Sequence, residues 1–179
     1  MTVFVGFLRG INVGGKNKIK MAELKKMLES TGLAQVQTYL QTGNILFQSD
    51  QSAEALREQI EQAIHEQFGM SLTVVLRTAE QMKKVLAVCP YEVEKLTEGQ
   101  TIQISVLTEA PDQKMADILS KDISERDEFQ LQGCEIYFLF RQSVLDSKLA
   151  ANLQKLGGRV TTRNWNTMQK LSELASAML

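Results

Sequence analysis

The chain of 179 residues carries 20 Lys and Arg against 21 Asp and Glu, a formal net charge of −1, so bulk charge draws it neither to nucleic acid nor to an anionic membrane. At this length it can bury roughly 70% of its unfolded surface and needs no disulfide or metal to hold one medium domain or two small ones. No apolar run reaches bilayer-spanning length, no basic leader precedes the first apolar stretch, and Cys89 and Cys134 lack paired spacing, which predicts a reduced, cytoplasmic protein with no membrane partner.

Residues 3–8 predict a strand that is apolar on both faces. It leads into Arg9-Gly10-Ile11-Asn12-Val13-Gly14-Gly15-Lys16-Asn17-Lys18-Ile19-Lys20, where glycines permit unusual backbone angles and four basic side chains stand with no acid among them. Amides freed by Gly10, Gly14 and Gly15, reinforced by Arg9, Lys16 and Lys18, are expected to cradle a phosphate or carboxylate, with Asn12 as a further polar contact. Gly10, four residues and Gly15-Lys16 also match the P-loop pattern up to its last position, where Asn17 replaces the Mg²⁺-binding hydroxyl. The apolar helical period begins only at Met21, whereas a P-loop helix opens at the glycine–lysine pair, so nucleotide hydrolysis is disfavoured. The plain alternative is a structural glycine turn with solvated lysines.

Met21, Leu24, Met27 and Leu28 stripe the first helix. Strands over 36–40 and 45–47 join through Gln41-Thr42-Gly43-Asn44, whose Gly and Asn suit the positive φ of a hairpin turn. A second helix spans about 52–68, with Leu56, Ile60, Ala63, Ile64 and Phe68 facing inward, and a fourth strand covers 72–76. Thr78 caps a third helix, Gln81 completes the capping box, and Pro90 stops it.

Past an acidic connector over 89–100 the same order returns. Ile102, Ile104 and Val106 alternate as a strand, Pro111 opens a helix bearing Met115, Ile118 and Leu119, and strands over 129–131 and 136–140 form a hairpin across Gln132-Gly133. Leu145, Leu149, Leu153 and Leu156 stripe a helix ended by Gly157-Gly158; a short strand near Val160 leads to Asn164, which caps a last helix. Both halves therefore read βαββαβ plus a trailing helix, an α+β chain of two ferredoxin-like repeats over 1–90 and 91–179. Right-handed crossovers then put the basic loop and the Thr42-Gly43-Asn44 turn at one end of the first sheet. The stretch 161–167 is a second polar concentration, in which Thr162, Arg163, Asn164 and Trp165 offer hydroxyl, charge clamp, amide and stacking face. Joining it to the first loop requires one particular packing of the halves.

Other constellations are set aside. His65 falls on the charged face of its helix, so no histidine triad or histidine metal cluster is expected. Asp122, Glu125, Asp127 and Glu128 read as solvated charge between a helix and a strand, and the two cysteines as small buried hydrophobes.

The runs LRGINVGGKNKIKM, TYLQTGNILF and TTRNWNT resemble the bacterial family known as domain of unknown function 1697. The resemblance spans nearly the whole chain and implies an α+β protein of two related halves; it brings no activity, cofactor or catalytic residue with it. The motif positions here are residues 9–15, 42–44 and 162–166, with Thr42 where many relatives carry serine. Taken together, the residues point to a binder of a small anionic ligand or nucleotide, with no metal and no assigned reaction. Two alternatives stand beside it. One is RNA or single-strand binding, which the apolar run 3–8 suggests and the lack of aromatics in Asn44-Ile45-Leu46-Phe47 opposes; the other is a non-catalytic interaction module.

Overall fold

Among the described residues, apolar runs on β-branched and aromatic residues become eight strands, and the 3.6-residue stripes between them become six α-helices. The computed structural model describes residues 1–12, 15 and 17–179. In the first half, β1 (Thr2–Leu8), α1 (Met21–Ser30), β2 (Ala34–Tyr39), β3 (Asn44–Ser49), α2 (Ala53–Phe68), β4 (Val74–Thr78) and α3 (Ala79–Ala87) follow in order. The sheet runs β2-β3-β1-β4 with every neighbouring pair antiparallel. Because β1 and β2 both run against β3, they are parallel to each other, as two right-handed crossovers require. β1 is buried from Val3 to Leu8. On one face Phe4 stacks on its register partner Phe47 at 5.5 Å, and Leu24, Leu28, Leu56, Ile60 and Ile64 from α1 and α2 close the core.

The second half repeats this with β5 (Thr101–Val106), α4 (Gln113–Ser120), β6 (Glu128–Gln132), β7 (Glu135–Phe140), α5 (Lys148–Lys155), β8 (Thr161–Asn164) and α6 (Trp165–Ala177), its sheet ordered β6-β7-β5-β8. Phe138, Phe140, Leu119, Leu149 and Leu156 form its core. Two four-stranded antiparallel sheets, each with its crossing helices, make this an α+β chain of two ferredoxin-like halves. By compactness one unit comprises Met1–Lys84 with Lys170–Leu179 and the other Val85–Gln169, so the division runs through α3 and α6. Within the first unit Gln48 Nε2 donates to the carbonyl of Met178 at 2.8 Å. Within the second, the buried Tyr137 hydroxyl donates to the Val85 carbonyl at 2.6 Å.

Capping chemistry sets the helix starts. Thr78 and Gln81 exchange bonds at 2.9 and 3.1 Å, the reciprocal box expected of them, and Asn164 Oδ1 accepts from Thr167 N–H at 2.8 Å. Three local expectations are corrected. Pro111 does not open α4: Asp112 is its N-cap, accepting from Met115 N–H at 2.9 Å, and Pro111 lies outside the helix. Leu145 does not belong to the α5 stripe, because Ser147 caps that helix and leaves Leu145 93% exposed in the preceding turn. In the first hairpin the positive φ falls on Leu40 (59°) and Gly43 (95°), while Asn44 is the first residue of β3 and fully buried.

A lysine-lined cavity beside the first hairpin

β1 delivers the basic loop to the tip of the β2–β3 hairpin. Phe7 registers with Asn44, and the Leu8 N–H donates to the Gly43 carbonyl at 2.8 Å. Gly43 is fixed here by two constraints at once: its φ of 95° is left-handed, and a Cβ would lie 2.9 Å from Ile11 Cδ1 and 3.0 Å from the Leu8 carbonyl oxygen. Asn44 Nδ2 donates to the Tyr39 carbonyl at 2.8 Å and to the Thr42 hydroxyl at 3.0 Å, so these two predicted site residues hold the turn in shape.

The loop is then tied off by Asn12. Its Oδ1 accepts from Ile19 N–H at 2.8 Å, while Nδ2 donates to the Ile19 carbonyl at 3.0 Å and to the Gln41 carbonyl at 2.8 Å. One side chain thus imitates a strand edge for Ile19 and reaches across to the hairpin. Asn12 N–H also donates to the Asn17 carbonyl at 3.1 Å, and Asn17 Nδ2 to the Gly10 carbonyl at 3.2 Å. Gly10, Asn12, Gly15 and Asn17 all have positive φ, which explains the run of glycines and asparagines, the residues that enter the left-handed region most readily. Gly14 and Lys16, also predicted to bind, lie outside the described residues.

Between this loop, the start of α1 and the hairpin lies a cavity of about 500 Å³, within the roughly 300–1,000 Å³ typical of small-molecule sites. Asn12, Gly15, Lys18, Lys20, Glu23 and Gln41 contribute to its lining. α1 opens into it with Lys20 as N-cap and no side-chain cap, whereas Ser52, Asp112 and Ser147 each cap their own helix by accepting a backbone N–H. The first-turn amides of α1 therefore keep the partial positive charge that a cap would share. Arg9, at the end of β1, is half-buried, and that burial pulls its guanidinium below the ordinary arginine range. Lys20 is one of the four cations already read from the sequence, whereas Gln41 as a lining residue and the uncapped helix start are not; Lys20 before an apolar period, where Ser, Thr, Asp or Asn would be usual, is the available signal for the latter.

The C-terminal candidates belong to the second unit. Thr162 Oγ1 lies 2.6 Å from Ser105 Oγ, Arg163 donates to the Thr162 carbonyl at 3.0 Å, Asn164 caps α6, and Trp165 is half-buried as the first residue of that helix. Arg77 makes the corresponding contact on β4, donating to the Leu76 carbonyl at 2.9 Å. Arg77-Thr78 and Arg163-Asn164 each precede a helix whose buried methionine, Met82 or Met168, comes five residues after the arginine.

The acidic cluster is a correction. Asp127 is not solvated but only 3% exposed, accepting from Arg141 N–H at 2.9 Å, Gln142 Nε2 at 2.8 Å and the Ser147 hydroxyl at 2.7 Å. It ties the start of β6 to the chain leaving β7. Glu128 pairs with Arg141 nearby. His65 is exposed, its Nδ1 3.3 Å from Ser71 Oγ. Cys89 and Cys134 are half-buried thiols, not fully buried ones, and burial raises the Cys89 pKa, away from a reactive thiolate. Among the described residues no group of His, Cys, Asp or Glu is arranged to hold a metal, and no helix is long and apolar enough to cross a membrane.

A family model described as "protein of unknown function (DUF1697)" matches residues 1–137, which include the basic loop and the hairpin and stop short of the 161–167 motif. A solved structure, that of the conserved bacterial protein SP0830 from Streptococcus pneumoniae, is similar over 97% of this chain and 98% of that chain, with a TM-score of 0.77 at 23% sequence identity, a likeness of fold. No curated protein matches the chain.

Proposed function

From the premise that this chain belongs to the DUF1697 family, whose function is unknown, we propose that it binds a small ligand bearing a phosphate or carboxylate in the cavity beside the first hairpin. One observation carries the reading: Lys18 and Lys20 line a concave space into which α1 opens without a side-chain cap. Cations and unshared helix amides converge there on a volume suited to a sugar phosphate or a mononucleotide. Gly10 and Thr42-Gly43-Asn44 support the loop and turn that shape it, and Arg9 adds a cation at the end of β1. Thr162, Arg163, Asn164 and Trp165 are not required by this reading.

Nucleic-acid binding has less to support it. Asn44, Ile45, Leu46 and Phe47 of β3 are all buried, so that strand offers no aromatic stacking platform. A cytoplasmic location fits a ligand of metabolite size.

The test is thermal stability with inorganic phosphate, glycerol phosphate and mononucleotides. A ligand at a hundredfold over its Kd stabilises by about 2.7 kcal/mol, which at this chain length raises the melting temperature by roughly 5–10 °C. The shift should vanish when Lys18 and Lys20 are both changed to Ala. No response to any anion, or an equal response in the double variant, overturns the proposal.

A further inference from the structure

We infer that the cavity selects a dipolar ligand, anionic at one end and carrying a protonated amine at the other; this rests on the anion-binding reading above. The observation is Glu23. It lies in the first turn of α1, is exposed, and shares the cavity lining with Lys18 and Lys20. A glutamate at the third helical position ordinarily reaches back to the N-cap N–H or pairs with a lysine one turn away. Among the described residues Glu23 does neither: its carboxylate accepts no hydrogen bond from the Lys20 N–H, and no ion pair joins it to Lys18, Lys20 or Lys26.

Among the described residues, charges of both signs therefore line one cavity without pairing with each other. A plain anion satisfies the lysines and the helix amides but is repelled by the carboxylate. A ligand with an ammonium group a few bonds from its phosphate or carboxylate meets both signs, and the desolvation that binding imposes on Glu23 is then compensated. The neutral groups agree with this division. Asn12 has both of its N–H groups committed to the Ile19 and Gln41 carbonyls, which leaves Gln41 as the amide side chain on the lining able to serve a ligand's middle portion.

Phosphoethanolamine and glycerol phosphate separate the two ideas, since both carry a phosphate monoester and only the first carries an ammonium. By titration calorimetry at low salt, phosphoethanolamine should bind about tenfold more tightly to the wild type. In Glu23→Gln that preference should shrink to less than about twofold while glycerol phosphate binds as well or better, and in Glu23→Lys glycerol phosphate should be the preferred ligand. Equal binding of the two probes by the wild type, or a preference that survives both substitutions, overturns the dipolar inference and leaves anion binding standing. Binding of neither probe, with no response to inorganic phosphate, overturns both.

Discussion

The Asn12 side chain holds the basic loop closed, and its removal is open to a worked estimate. Asn12→Ala deletes three hydrogen bonds, at 2.8, 3.0 and 2.8 Å, and strands the N–H and carbonyl of Ile19 and the carbonyl of Gln41. At about 1 kcal/mol each these account for about 3 kcal/mol. Asn12 also sits at φ 55°, where alanine costs about 1 kcal/mol more. The sum, about 4 kcal/mol, corresponds to roughly 8–16 °C in the melting transition of a chain of this length. Asn12→Gly keeps the tolerance of positive φ and loses only the three hydrogen bonds, so it should cost about 3 kcal/mol. Denaturant melts give the free energies, and hydrogen exchange at the Ile19 amide reports the loop directly. If Asn12→Ala stays within about 1 kcal/mol of the wild type and the Ile19 amide remains as protected as before, Asn12 does not hold the loop and the reasoning fails.

Three further outcomes follow from two buried polar groups in the second unit. The Tyr91 hydroxyl oxygen is buried with no hydrogen-bond partner among the described residues, so Tyr91→Phe should raise stability by about 1 kcal/mol in a urea melt at neutral pH. Burial, with the Glu128 charge adding to it, holds the Tyr91 phenol well above its ordinary pKa. The folded state therefore keeps this proton where the unfolded chain releases it, and wild-type stability should decline as pH climbs past about 10; a Phe variant with the same alkaline decline would contradict that. Asp127→Ala should cost about 3–5 kcal/mol, because the Arg141 amide, the Gln142 side chain and the Ser147 hydroxyl all lose their acceptor. A shift in denaturant midpoint equivalent to less than about 1 kcal/mol would mean the solvated reading of that cluster was right after all.

Much of the architecture is legible from local pattern. Alternation and capping residues mark the strands and the helix starts, and the Thr78–Gln81 box and the Asn164 cap form as their spacing implies. Legibility ends where a partner is remote in sequence or two rules compete. Asp127 looks like one more surface acid because Arg141, Gln142 and Ser147 lie 14 to 20 residues away. Leu145 fits a helical stripe, yet Ser147 two positions on is the stronger signal, and the cap wins. Asn12 offers the same ambiguity within the candidate site: an amide in a basic glycine loop suggests a ligand contact, while its left-handed backbone and three internal bonds make it the part that gives the loop its shape.

The duplication supplies an internal control for the proposed site. Leu8 N–H donates to the Gly43 carbonyl at 2.8 Å, and in the second half Leu107 N–H donates to the Cys134 carbonyl at 3.0 Å, so the end of the first strand meets the hairpin in the same way twice. The halves part company immediately afterwards. In the first, residues 9–20 separate β1 from α1 and bring Lys18 and Lys20 to an uncapped helix start; in the second, residues 107–112 suffice to reach α4, and the Asp112 carboxylate already occupies the position an anion would take. A carboxylate supplied by the chain satisfies the same helix amides that a ligand's phosphate would satisfy. On the proposed reading the capacity for anions is therefore a property of the longer connection that follows a contact common to both halves, and grafting the short capped connection of the second half in place of residues 9–20 should leave the first sheet folded while abolishing the thermal response to phosphate. A graft that folds and still responds would place the anion elsewhere on the frame.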